Sequence, residues 1–483
     1  MTIPALLALL ACVAATPAAE LSWPDAEARL RIARQLAREM NDRALVERVT
    51  ATAKQAKADF SAGRAADGDK RIREIEAAVG IDPGGWAMNG LKISHPTPEM
   101  LARRDELERA LAGAMAKDDP AAVRAVVAEM KKLLGDQAGL PDARRRGDRV
   151  AMQPISAADA VTLFLNALKS DATAMRDITA GKPVANNMLR VYADLITGCC
   201  EIRPWVKDLQ PDRLTEIDRL VEGACLILTR LQQPAGFFPF PDLRGKNIRF
   251  GAITERLLAS QPDAVKDGWV IAPDPDGGSQ FDTGLCGAAL LMAGVEYSRN
   301  TWTRAGLRAA DWALEQRCVP NFNYNAFSIG LLARAYIFTQ DARYLGGAIE
   351  KFRVGVAPGQ VENGRWIDSH NARTVYHFII VRALNDLWEV LPREHRDVRA
   401  EVSRAASAAV TAAFDEFEKA GITAIALREL LRHEDLNPRP DPRLGAMIEM
   451  TASVVHTKCA LGGRTRLGVA VSDLAALAAA WDQ

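Results

Sequence analysis

From Ile155 onward the sequence repeats one rhythm: an apolar-striped stretch long enough for a helix, a loop, then another such stretch, with very few strand signals. Apolar residues recurring at three- and four-residue spacing mark amphipathic helices. They predict helices near 157–168, 187–200, 213–231, 282–299, 303–317, 324–339, 342–354, 371–391, 396–419, 443–456 and 472–481. The loops between them are of two kinds. Short polar turns such as Ser298-Arg299-Asn300-Thr301 and Thr339-Gln340-Asp341 alternate with long loops rich in Gly, Pro, Asn and aromatics, at 234–242, 272–280 and 357–369. Stacked helical hairpins produce that alternation, because one end closes tightly while the other carries elaborate loops where binding residues concentrate. The fold class is therefore all-α. No fixed period of the kind that marks TPR or HEAT solenoids is present.

Composition narrows the function classes. The chain has 483 residues, of which 48% are apolar and 25% charged, which excludes general disorder and a polytopic membrane protein. Lys plus Arg and Asp plus Glu number 61 each, for a net charge of zero. No basic field exists to hold nucleic acid, so a charged ligand must be met locally. Residues 3–15 form an apolar run too short to span a bilayer, and Thr16 to Ala19 are small residues suited to signal-peptidase cleavage. Residues 1–19 thus read as an export signal, with a periplasmic or secreted destination and no transmembrane span. Leu9-Leu10-Ala11-Cys12 resembles a lipobox, which would make Cys12 a lipid anchor.

Residues 20–150 read as a helical extension: Leu30, Ala33, Leu36, Ala37 and Met40 keep helical spacing, and further helices are expected at 100–115 and 121–134. Pro83-Gly84-Gly85-Trp86 interrupts it. Leu140 to Asp148, with Arg144-Arg145-Arg146, reads as an exposed linker to the main domain at 151–483. Cys199, Cys200, Cys225, Cys286, Cys318 and Cys459 show no metal-ligand or disulfide spacing and read as small core residues.

Leu231-Gln232-Gln233-Pro234-Ala235-Gly236-Phe237-Phe238-Pro239 resembles the Gln-x-Pro-x-Gly-aromatic turns that recur in (α/α) toroid enzymes. From about Ala157 to the end, the hairpin pattern is similar to that superfamily. The resemblance implies an (α/α) toroid, or incomplete barrel of helical hairpins, with an N-terminal helical extension.

Of the 29 aromatic residues, 21 lie between 201 and 391, interleaved with Gly, Asn and Asp, which points to a concave site in that region. The run from Gly364 to Phe378 is expected to open a long helix capped by Asp368 or Ser369. On such a helix His370, Arg373 and His377 share a face at i, i+3, i+7, with Tyr376 beside Arg373. A second group, Asn321, Asn323 and Asn325 around Tyr324, leads into the preceding hairpin, although turn and cap chemistry also accounts for its asparagines.

Toroid polysaccharide lyases, including alginate-lyase-like enzymes, combine Asn, His, Arg and Tyr, and the residue types here are similar. That resemblance implies β-elimination from an acidic polysaccharide or oligosaccharide. Removing the weakly acidic hydrogen beside a uronate carboxylate requires that the carboxylate first be neutralised and the enolate stabilised. Asn323 or Asn325 and Arg373 suit that role, His370 or His377 the base, and Tyr324 or Tyr376 the acid that protonates the leaving oxygen. Asn321, Asn371, Trp269, Trp366 and Phe238 complete the expected sugar-binding set. Two alternatives stay open: a six-hairpin glycosidase using Asp282 and Asp368 as its carboxyl pair, and a non-catalytic glycan-binding toroid. Asp274 and Asp276 lack calcium-loop spacing. No nucleotide-binding, zinc-protease or serine-hydrolase motif appears in a credible context, and no metal or cofactor is expected.

Overall fold

The computed structural model describes residues 43–78, 97–141, 147–152, 154–169, 172–246, 248–422, 426–460 and 470–480, with a few positions between 26 and 37 and residues 91 and 93. The expected export signal, Cys12, the 83–86 interruption and the triple arginine lie outside the described residues.

The architecture is all-α. Among the described residues there are eighteen α-helices and three two-residue strands. In chain order the helices are α1 (Arg43–Ser61), α2 (Ala65–Ala78), α3 (Pro98–Met115), α4 (Pro120–Leu134), α5 (Ala157–Lys169), α6 (Ala172–Thr179), α7 (Arg190–Leu209), α8 (Leu214–Leu231) and α9 (Ile248–Ser260). They continue as α10 (Ser279–Glu296), α11 (Asn300–Glu315), α12 (Phe322–Thr339), α13 (Ala342–Gly355), α14 (Thr374–Val390), α15 (Arg396–Ala420), α16 (Leu427–Leu436), α17 (Leu444–Ala460) and α18 (Ala470–Ala479). No helix of the described residues is long and apolar enough to cross a membrane.

The chain divides into two compact units between Trp86 and Ala87, not near residue 150. The first unit contains α1 and α2, packed through Leu45, Val49, Ala53, Ala56, Ile72 and Ile75. Buried Asp59 is held there by Arg64 and Arg71, at 2.6 and 2.7 Å. Helices α3 and α4, read from the sequence as part of the extension, belong to the second unit because Leu107, Leu111, Val123 and Val127 enter its core. Asp119 caps α4 by accepting from the amides of Ala121 and Ala122.

In the second unit, burial sorts the helices into two kinds. Helix α12 is buried on nearly every side, from Phe322 through Ile329 and on to Ala335, and α10 is similar. Helix α11 buries one stripe, Trp302, Ala305, Gly306, Ala309, Ala310 and Ala313, and α15 likewise buries Val398, Val402, Ala406, Ala409 and Ala413. A helix apolar all round must be covered all round, whereas a striped helix covers others with one face. The contacts follow that division. Helices α7, α10, α12, α14, α16 and α18 touch in sequence, and α18 returns to α7, closing the circuit. Helices α5, α8, α11, α13, α15 and α17 pack against them. Close approach within the α10–α11 hairpin depends on glycine: a Cβ on Gly306 would lie 2.9 Å from the Gly287 carbonyl oxygen.

Two loops on this scaffold are the same turn. Gln232 Nε2 donates to the carbonyls of Gly236 and Ala305, and Gln360 Nε2 donates to those of Gly364 and Ala405. Gly236 and Gly364 both have positive φ, 105° and 81°, and a Cβ on either would meet a backbone carbonyl, of Arg308 or Ala408, within 2.3 Å. The first copy leads into β1 (Phe240–Pro241), which with β2 (Val265–Lys266) and β3 (Trp269–Val270) forms a small antiparallel sheet in the order β1-β3-β2. The second copy leads into residues 368–376.

Candidate functional site

The N-terminal ends of four circuit helices meet at one cluster. Arg190, the first residue of α7, forms a two-pronged ion pair with Asp282 in the first turn of α10, at 2.8 and 2.6 Å. Its guanidinium lies 3.5 Å over the Phe281 ring, which stacks on Phe327 of α12 at 4.0 Å and stands 6.5 Å from Tyr324. Burial works against the Arg190 charge, but Asp282 outweighs it and holds the guanidinium above its ordinary value; the Tyr324 and Tyr376 hydroxyls act in the same direction from nearby. The His370 ring packs on Tyr376 with centroids 3.9 Å apart.

The two polar groups identified from sequence are joined through Asn371. Asn323 donates to Asn371 Oδ1 from its backbone amide at 3.1 Å and from Nδ2 at 2.7 Å. Asn371 Nδ2 in turn donates to both Asp368 oxygens, at 3.0 and 2.9 Å, and to Asn321 Oδ1 at 3.2 Å. Asn321 Nδ2 and Asn323 Oδ1 are buried without a hydrogen-bond partner among the described residues. Orphaned polar atoms of this kind cost about 1–3 kcal/mol each, so they mark places where a further group is accommodated.

Several expected residues stand elsewhere. Helix α14 begins at Thr374, because Asp368 takes the Asn371 amide into a side-chain turn and Arg373 is extended, with φ −63° and ψ 140°. His370 and half-buried Arg373 therefore precede the helix, and the shared face with His377 does not exist. His377 is fully buried between Trp366 and Phe378, with Nε2 2.7 Å from the Ala409 carbonyl oxygen of α15. Burial first, and Arg365 second, hold it well below the usual histidine range. It is a neutral side chain that ties α14 to α15.

Asn325 spends its amide on backbone, accepting from the Val319 amide and donating to the Val319 and Gly355 carbonyls. Trp366 is wholly buried, with its indole N–H donating to the Val356 carbonyl, and Phe238 is 1% exposed, so neither presents a face to a sugar. Trp269 lies in the small sheet, half-buried against the main core. Asp282 opens no helix as a cap, since α10 already begins at Ser279. Five cysteines are buried and Cys459 partly so, all unbridged. Among the described residues no group of three His, Cys, Asp or Glu is arranged to hold a metal ion.

Sequence reasoning missed two features. Arg190 carried a signal: a cation at the first position of an apolar helix opposes the helix dipole and therefore needs a partner such as Asp282. The second is a charged girdle deeper in the circuit. Arg428 meets Glu201 at 2.7 Å and Glu429 at 3.2 Å, Arg382 meets Glu429 at 2.5 Å, and Arg432 bridges Asp386 and Glu389. Burial pushes Asp194 up to about 6 and Asp473 up to about 8, against nearby arginines. Compared with known proteins, the chain matches no family model, and no curated protein or solved structure matches it significantly.

Proposed function

We propose that the second unit is an (α/α) toroid and that the chain is a polysaccharide lyase acting on a uronate-containing polymer by β-elimination. One observation carries the reading: the Asn321–Asn325 group and the 368–376 segment, some fifty residues apart, are hydrogen-bonded to each other through Asn323 and Asn371. The closed circuit of six helices supports the toroid. The N-termini of α7, α10, α12 and α14 at the cluster support an anionic substrate, since each carries partial positive charge.

In this reading Asn321 Nδ2 and Arg373 receive the substrate carboxylate, with Asn323 Oδ1 accepting from a hydroxyl. His370 removes the hydrogen on the adjacent carbon, and the electron pair passes into the carboxylate as an enolate. Collapse of the enolate forms the ring double bond and breaks the bond to the leaving glycosidic oxygen, which takes a proton from Tyr324 or Tyr376. Arg190 stands by both hydroxyls to stabilise the phenolate left behind. The hydrolase alternative is weaker, because both Asp282 oxygens are engaged by Arg190 and Asp368 is engaged by Asn371. Residues 3–19 support action outside the cytoplasm.

The test is incubation of the purified protein with a panel of uronate polymers, following ultraviolet absorbance of unsaturated ends. Absorbance growing with time on at least one polymer is the expected outcome. Reducing ends without that absorbance would replace the lyase by a hydrolase, and no signal on any polymer would remove the enzymatic reading.

A further inference from the structure

Near the Phe281–Phe327 stack, five of the six circuit helices line a small pocket of about 50 Å³, partly open to solvent. Phe327 belongs to both places, so the stack separates the pocket from the cluster above. Much of the lining is apolar, including Leu285, Met292, Leu331 and Ile379, and Thr197 offers its one hydroxyl. Three arginines, Arg334, Arg382 and Arg428, and one carboxylate, Asp386, interrupt that surface, for an excess of positive charge.

The three differ in how fully they are matched. Arg428 is saturated by Glu201 and Glu429. Arg382 uses Nε on Glu429, and its terminal nitrogens make no hydrogen bond among the described residues. Arg334 makes none at all: its nearest carboxylate oxygen, on Asp386, is 3.7 Å away and is already bonded to Arg432. A guanidinium carries five donors; the Arg334 and Arg382 side chains are 23% and 27% exposed, so donors not used by protein groups are open to solvent or to a ligand in the pocket. The two under-matched arginines lie on neighbouring helices, α12 and α14, at the same pocket.

We propose that this pocket binds a small organic carboxylate with an apolar body, its carboxylate received by Arg334 and Arg382 and its body by the Leu285, Leu331 and Ile379 lining. Carboxylate oxygens match the forked donors of arginine. A sugar acid or inorganic phosphate would press hydroxyls or oxygens against apolar surface without partners, at a desolvation cost. The pocket thus selects a ligand unlike a uronate, and the inference stands independently of the lyase reading.

The experiment is isothermal titration of the full chain, in buffer free of carboxylates and phosphate, with benzoate, hexanoate, glucuronate and inorganic phosphate as separate probes. Benzoate or hexanoate is expected to bind at one equivalent, about tenfold or more tighter than glucuronate and phosphate. Arg334→Gln should weaken that binding by about tenfold or more, the scale of a lost charge-assisted pair. Ala288→Phe, which fills the pocket, should abolish it, and Tyr324→Phe should leave it unchanged. Absence of heat with benzoate and hexanoate, equal or tighter binding of phosphate or glucuronate, or wild-type affinity in a folded Arg334→Gln variant would each overturn the proposal. The comparison of probes on the wild-type chain keeps the test decisive if a variant fails to fold.

Discussion

The cluster at the helix N-termini and the girdle beneath it use buried polar groups in opposite ways. The upper cluster is rich in amides and hydroxyls, Asn321, Asn323, Asn371, Tyr324 and Tyr376, beside the His370 ring, and the ion pair of Arg190 with Asp282 braces it from α7 to α10. The girdle is charged throughout, with Arg382, Arg428 and Arg432 each on at least one carboxylate. Neutral amides and hydroxyls can be buried with a few atoms unsatisfied at modest cost, leaving capacity for a ligand. Leaving a buried charge unmatched costs more, and the girdle's pairs hold α7, α14 and α16 together, although Asp194 Oδ2 and Glu429 Oε2 make no hydrogen bond among the described residues. Arg334 and Arg382 are the under-matched cations, and both face a pocket.

This contrast can be broken most sharply at the cluster. His370→Ala and Tyr324→Phe should each lower turnover of a uronate polymer per folded molecule by about 10²–10⁴-fold, the usual weight of a general base or acid, and His370→Ala should also lose stability because the ring is buried against Tyr376. His377→Ala should differ in turnover, which stays near normal per folded molecule, with a stability loss of about 1–3 kcal/mol from the stranded Ala409 carbonyl and the vacated space. Equal turnover losses in His370→Ala and His377→Ala would erase the distinction drawn between the two histidines.

The girdle is expected to respond in stability and not in turnover. Arg428→Met leaves buried Glu429 and part-buried Glu201 with fewer cations and should cost up to about 3–5 kcal/mol in denaturant unfolding, with turnover per folded molecule nearly unchanged. A loss below about 1 kcal/mol, the range of exposed pairs, would show that water reaches these groups freely.

The smallest effect is a dependence on pH. The folded-state values of Asp194 and Asp473, about 6 and about 8, lie above the ordinary aspartate value of 3.8. The folded protein therefore binds protons that the unfolded chain has released. Their contribution to stability is full below about pH 4 and is lost as pH rises through about 6 and then about 8. Thermal stability should fall between about pH 4 and pH 8, and Asp473→Asn should flatten the upper part of that decline, from about pH 6 to pH 8. Asp386 and Glu429, held below their ordinary values by the arginines around them despite burial, act oppositely and weaken the fold only in acid. A stability that rises from about pH 6 to pH 8 in the wild type would contradict the buried-carboxyl assignment.

Much of the helical plan was legible in the sequence. Eight predicted helices, from 157–168 to 396–419, begin and end within a few residues of observed ones, because each is a sustained apolar or apolar-striped stretch that ends at Gly, Pro or polar turns. Helix α7 runs past its expected end at Cys200, through Pro204, to Leu209; packing along its length outweighs the one missing amide. Helices α6, α9 and α16 were not anticipated. The ten residues of α16 include Arg428, Glu429, Arg432 and His433, and a pattern rule reads such residues as solvated. They are buried or half-buried here because each meets an opposite charge or polar partner from another helix.

The sequence by itself determined the all-α class and the place of most helices in the second unit. These are local properties, set by apolar spacing along the chain and by the Gly, Pro and polar turns between the helices. Only the tertiary structure decided which polar residues meet: His370 at Tyr376 while His377 turns to Ala409, Arg190 on Asp282 across 92 residues, and Asn323 on Asn371. Periodicity says which side of a helix is apolar, but a hydrogen bond or ion pair depends on a partner whose position comes from the packing of other helices. At residues 368–373 even the local rule failed, because one side-chain turn at Asp368 delayed the helix and redirected the residues expected to share its face.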